Sequence, residues 1–107
     1  MGKIVEIPEQ DLDSAISEVG VPVMVKFWAP WCGPCRMMNP IVEELATEHG
    51  EKMKFYSINI DNCKEATLKY KVMSIPTIII FSGGLPVEQI VGARTKSDLE
   101  KLIKNHV

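Results

Sequence analysis

Trp28-Ala29-Pro30-Trp31-Cys32-Gly33-Pro34-Cys35 places two thiols three residues apart. An apolar run that includes Val21, Val23, Met24, Val25 and Phe27 leads into it, and a helix-like run follows. Val21 to Ala29 is β-rich and largely apolar, which predicts a central strand covered on both faces. Pro34 suits the first turn of the next helix, where no intrahelical donor is lost. Met37, Met38, Ile41, Val42, Leu45 and Ala46 give that helix a buried stripe, and Gly50 ends it. Pro40 falls inside and should kink it.

The rest of the chain alternates in the same way. Lys3 to Ile7 reads as a short strand. Leu12, Ala15, Ile16 and Val19 follow helical spacing, with Gly20 as the stop. Lys54 to Ile60 reads as a strand, and Asp61 or Asn62 as the cap of a short helix running to about Tyr70. Thr77 to Phe81, the turn Ser82-Gly83-Gly84 and Val87 to Val91 form a hairpin. Ser97-Asp98-Leu99-Glu100 resembles a capping box, with Thr95 as the competing cap. Leu99, Leu102 and Ile103 give the last helix its apolar face. The order β-α-β-α-β-α-β-β-α predicts an α/β fold with parallel pairing and helices on both faces of one sheet. The closing hairpin makes that central sheet mixed.

Two cysteines at i and i+3 share a helix face with Cβ atoms roughly 5–6 Å apart. A disulfide needs roughly 4 Å. A tightened first turn closes the gap, and Gly33-Pro34 suits one. Cys32, before the helix, faces free N–H groups and the positive dipole end, which favour its thiolate and make it the attacking group. Cys35, one turn in, is more buried and resolves the mixed disulfide by attacking Cys32. The competing readings are half of a metal site or two inert buried thiols. Zinc needs four ligands, and Cys63, His49 and His106 are scattered without paired spacing. Redox chemistry is favoured, with no metal assigned.

With 107 residues, 46% of them hydrophobic, the chain reads as one domain, residues 1–107, with a single core. The net charge of -2 is dispersed, so no nucleic acid is expected. No apolar run approaches a membrane span, so no membrane is expected. Only Ile4 and Val5 separate Lys3 from Glu6, which is no signal-peptide core, and Gly2 lacks the Ser or Thr that myristoylation requires at position six. Three cysteines are too few for a disulfide framework. A cytoplasmic monomer is expected.

The sequence resembles the thioredoxin family. The matching pieces are Phe27 to Cys35, Pro40, Asn59-Ile60-Asp61, Ile75-Pro76-Thr77, Gly84 and Gly92, in family order and spacing over nearly the whole chain. The resemblance implies the thioredoxin fold and dithiol–disulfide exchange with disulfide-bearing protein substrates. It also implies re-reduction by a thioredoxin reductase and no cofactor beyond the cysteine pair. On its own, a proline opening a strand has a cis frequency of only about 5%. The resemblance makes Pro76 a cis-proline beside the disulfide and leaves the Ile75 backbone free to pair with an extended substrate. Trp31, Gly33, Pro34, Ile75, Gly92 and Ala93 would then form an uncharged docking surface around Cys32. Trp28 reads as packing, and Trp31, which abuts Cys32 in a loop, as the functional aromatic. A more oxidising oxidase or isomerase domain of the same fold is the nearest rival. A non-catalytic binding module or zinc-structured domain is more distant.

Lys26 departs from the family pattern, which has a buried aspartate just before Phe-Trp-Ala and often a lysine on the adjacent strand. Here Lys26 and Ser57 occupy those positions. Three readings are open. Lys26 snorkels to water; or it stays charged near Cys35 and favours thiolate; or desolvation makes it a neutral base. Cys63, at a probable helix start, is either an exposed reactive thiol or, more simply, passive. His49 and His106 read as surface residues near helix C-termini. The charge reversal at position 26 predicts that Lys26 raises the reduction potential relative to Lys26→Asp. Equilibration of both proteins with glutathione tests this, and equal or reversed potentials would dismiss it.

Overall fold

The computed structural model describes residues 3–18 and 20–107; Met1, Gly2 and Val19, the last residue of the first predicted stripe, lie outside. Strands β1 (Ile4–Glu6), β2 (Val23–Trp28), β3 (Lys54–Asn59), β4 (Thr77–Ser82) and β5 (Leu85–Val91) form one sheet in the order β1-β3-β2-β4-β5. Helices α1 (Leu12–Ile16), α2 (Gly33–His49), α3 (Lys64–Lys69) and α4 (Lys96–Lys104) connect them. No described helix is long and apolar enough to cross a membrane.

Alternation along the central strands builds two cores. Met24, Ile78 and Ile80 pack with Met38, Val42 and Leu45 of α2 and with Leu99 and Ile103 of α4. Val23, Val25, Phe27, Ile79 and Phe81 pack on the opposite face with Leu12, Ile16 and Ala66. Helices therefore cover both faces. Each large apolar side chain fully buried there contributes about 1.5–3 kcal/mol. Burying a charge in the same setting is costly unless it finds a partner. That contrast singles out Lys26, which lies within β2.

The mixed sheet is as expected, but its antiparallel part is larger than one hairpin. β1 and β2 run parallel to β3, whereas β4 runs antiparallel to β2 as well as to β5. The six residues of α3 span about 9 Å, short of the roughly 20 Å of a six-residue strand. The chain re-enters the sheet at the end it left, with Thr77 beside Phe27. Gly83 and Gly84 join β4 to β5 with φ of 60° and 83°. Two consecutive positive φ values suit the tight primed turn that matches strand twist. β5 starts at Leu85, earlier than the predicted Val87, with a register shift between Ile80 and Phe81.

Caps and helix ends differ from the sequence expectation where the partner is distant or the side chain turns back. α1 stops at Ile16; the next residue, Ser17, donates its hydroxyl to the Asp13 carbonyl at 2.7 Å. Gly20, at φ 87°, lies beyond the helix and does not stop it. Neither Asp61 nor Asn62 caps α3. The Asn59 side chain accepts the Asp61 N–H at 3.0 Å and caps a 3-10 turn, Ile60–Asn62. Cys63 holds the N-cap position of α3 without a side-chain bond, and Glu9 Oε2 accepts the Ala66 N–H at 2.7 Å from 57 residues away. Thr95, not Ser97, caps α4 by accepting the Asp98 N–H at 3.1 Å. Pro40 lies inside α2 on its exposed side, where the missing N–H leaves the Arg36 carbonyl without its helical donor.

Candidate active site

β2 delivers the chain to a turn in which the Cys32 N–H donates to the Ala29 carbonyl at 3.1 Å. Cys32 then occupies the N-cap of α2 in extended geometry, with proline in the first turn. Its Sγ accepts the Cys35 N–H at 3.1 Å. Cys32 and Cys35 are joined as a disulfide with Cα atoms 5.3 Å apart. Cys32 retains 5% of its surface and Cys35 none, so a second molecule can reach only the first sulfur. Trp31, Gly33 and Pro34 are exposed around it, Trp31 at 67%.

Ala29 and the two cysteines form a small apolar cluster that Trp28, Ile60 and Ile75 pack against. Trp28 is packing, as expected, but the object it packs on is the cysteine pair. The Ile75-Pro76 bond is cis. The Pro76 carbonyl accepts the Gly92 N–H at 2.8 Å, which ties the two loops together. Gly92 has φ 88°, a conformation that disfavours any side chain. Ala93 is exposed, and the Arg94 N–H donates to Met38 Sδ at 3.3 Å, anchoring that loop to α2. Among the described residues, no intrachain hydrogen bond engages the Ile75 backbone.

Two residues bordering the site escaped the sequence reading. Asp61 accepts the Trp31 indole N–H, with both carboxylate oxygens at 3.2 Å, and so fixes the exposed ring. Its signal is the Asn59-Ile60-Asp61 match to the family, whereas the sequence offers Asp61 only as a possible helix cap. Asn39, four residues after Cys35, accepts a hydrogen bond from Lys26 Nζ. Spacing from Cys35 along α2 was the only hint of it.

Lys26 does not snorkel. The residue is 5% exposed, its ammonium bonds Asn39, and it lies 5.9 Å from the centroid of the Trp28 ring. Burial lowers its pKa, while Glu43 and Glu6 oppose that shift from a distance. Buried Ser57 pairs with it across β2 and β3. Cys63 is 1% exposed in the opposite core, and burial, with Glu9 and Glu6 adding to it, pushes its thiol pKa up. This corresponds to the passive reading. His49 and His106 are half-buried, contrary to the surface expectation. They lie 2.8 Å from Glu100 and 3.3 Å from Glu88, because α4 and the chain beyond it pack back onto the fold. Among the described residues, the group of side chains close enough to share a metal ion is Glu48, His49 and Glu100, which includes neither cysteine of the pair.

The thioredoxin family model matches residues 3–105. The chain belongs to the thioredoxin family. It is 46% identical to thioredoxin M4, chloroplastic, of Arabidopsis thaliana, over 94% of this chain and 53% of that protein. It therefore spans about half the length of that relative. It is also 37% identical to thioredoxin 1 of Nostoc sp. over the full length of both. Among solved structures, the Malassezia sympodialis thioredoxin superposes with a TM-score of 0.89 at 30% identity, covering 99% of this chain and 92% of that one. The family and the paired cysteines at the helix start make this protein a thiol–disulfide oxidoreductase of the protein-disulfide reductase type.

The burial of Cys63 generates a direct expectation. After reduction of the folded protein at neutral pH, iodoacetamide should alkylate Cys32 at least about tenfold faster than Cys63, because only a solvent-reachable thiolate reacts. Peptide mass spectrometry checks this, and comparable rates would contradict the buried placement.

Proposed function

We propose that this protein acts as a monomeric, cytoplasmic electron carrier that reduces disulfides in other proteins and is recharged by a thioredoxin reductase. The reading treats residues 1–107 as one thioredoxin domain and needs no bound cofactor. One observation carries it: the Cys32 sulfur sits where an N-cap acceptor belongs, 3.1 Å from the Cys35 N–H, with Cys35 fully buried behind it. A thiolate at that place accepts the same hydrogen bond and meets the positive helix end. Cytoplasmic placement is supported by a cysteine count too low for a structural disulfide framework.

Cys32 is the nucleophile and Cys35 the resolving thiol. The Cys32 thiolate attacks one sulfur of a substrate disulfide, forming a mixed disulfide and releasing the other sulfur as a thiolate that takes a proton from water. Cys35 then loses its proton to water and attacks Cys32 Sγ. The Cys32–Cys35 bond forms, the mixed disulfide breaks, and the second substrate thiolate leaves and is protonated. Two electrons pass from the dithiol to the substrate. Trp31, Ile75, Gly92 and Ala93 dock the substrate above Pro76, which is itself buried and shapes the loop from below, with the free Ile75 backbone pairing to an extended segment. Gly33 and Pro34 shape the tight first turn, and Lys26 supports the site from beneath.

Insulin reduction driven by a thioredoxin reductase tests this reading. Cys32→Ser should fall to the uncatalysed rate. Cys35→Ser should accumulate a mixed disulfide with insulin through Cys32. Full turnover in Cys32→Ser would refute the assignment of the nucleophile.

A further inference from the structure

Lys26 is a cation in an otherwise apolar strand, and its surroundings are specific. Alternation places Met24, Lys26 and Trp28 on the face of β2 that α2 covers. The Lys26 ammonium is bracketed by two side chains, Trp28 and Asn39. Trp28 packs against the cluster of Ala29, Cys32 and Cys35, and Lys26 Nζ lies 5.9 Å from that ring. Asn39, the hydrogen-bond acceptor, is four residues after Cys35 and so shares its face of α2 one turn further in.

We propose that Asn39 is a positioning residue for thiol exchange: it pins the Lys26 ammonium beneath the first turn of α2, where the cation favours the thiolate of Cys35 over its thiol. The inference deepens the reductase reading and rests on it.

The identity of the acceptor matters. An amide oxygen fixes an ammonium without cancelling its charge, whereas a carboxylate in the same place would neutralise it. No salt bridge reaches Lys26 among the described residues; Glu43, one further turn along α2, and Glu6 on β1 act on it only through space. The face of the Trp28 ring also prefers a cation to a neutral amine. The charge of Lys26 is therefore held in place and left to act on its neighbours, and Cys35 is the ionisable one at the redox centre. A cation near a thiol stabilises the reduced, ionised form, which makes the disulfide more oxidising. The same effect supplies the Cys35 thiolate that attacks Cys32 Sγ and expels the substrate thiolate.

Equilibration with glutathione, read as the ratio of dithiol to disulfide, tests the inference. The set is the natural protein, Asn39→Leu, Asn39→Asp, Lys26→Met and the double variant Lys26→Met/Asn39→Leu. Asn39→Leu and Lys26→Met should each shift the equilibrium toward a more reducing pair by about threefold, as loss of a nearby cation from a thiol implies. Asn39→Asp, which keeps the acceptor and the shape but cancels the charge, should shift it at least as far. In the double variant the Asn39 change should add nothing to Lys26→Met. A ratio within about 1.5-fold of the natural protein in both Asn39 variants would overturn the inference, as would a full Asn39→Leu shift persisting without Lys26. A natural cysteine pair that exchanges no electrons with glutathione would instead overturn the reductase reading and this inference together.

Discussion

The N–H of Cys35, donated to the sulfur of Cys32 across 3.1 Å, is the contact on which the function depends. It joins the geometry of a helix start to the chemistry of a nucleophile. A capping side chain satisfies backbone donors that the helix cannot satisfy itself. Here the capping atom is sulfur, so the same donors that need an acceptor also stabilise a thiolate. The placement requires β2 to end at Trp28 and α2 to begin at Gly33, and the two apolar cores hold both elements in that relation.

Division of labour between the two cysteines follows from burial rather than from any difference in the residues. Cys35 is fully buried in a cluster that Trp28, Ile60 and Ile75 pack against, while Cys32 keeps 5% of its surface exposed next to Trp31 and the helix start. The loops around this opening are cross-tied. Trp31 is held by Asp61, Pro76 by Gly92, and the loop at Arg94 by Met38. These contacts tie the loops around the cysteine pair to one another and to α2. Lys26 is the one charged-type residue in β2, and it is buried and bonded to Asn39 of α2.

Much of this was legible in the sequence because its causes are local. Cys32-Gly33-Pro34-Cys35, the helical stripe and the hairpin at Gly83-Gly84 each carry their own signal in spacing and turn chemistry, although Met37, which the stripe includes, is 71% exposed. Features that failed to show depend on residues far apart in the chain. The Glu9 side chain accepts a backbone N–H of α3, and β4 runs antiparallel to β2, which itself runs parallel to β3. Asp61 holds Trp31 across 30 residues, and Asn39 meets Lys26 across 13. The sequence flagged Lys26 as a departure. It could not choose among snorkelling, buried cation and neutral base, because that choice belongs to the partner on α2 and to the ring of Trp28.

The most direct test of the account is a pH titration of the Cys32 thiolate in reduced protein, followed by its ultraviolet absorbance with Cys35 replaced by serine. The capping geometry requires the sulfur to ionise well below the value of about 8.5 that a free cysteine shows. Ionisation at or above that value would mean the helix start does not activate this thiol, and the account would fail at its first step.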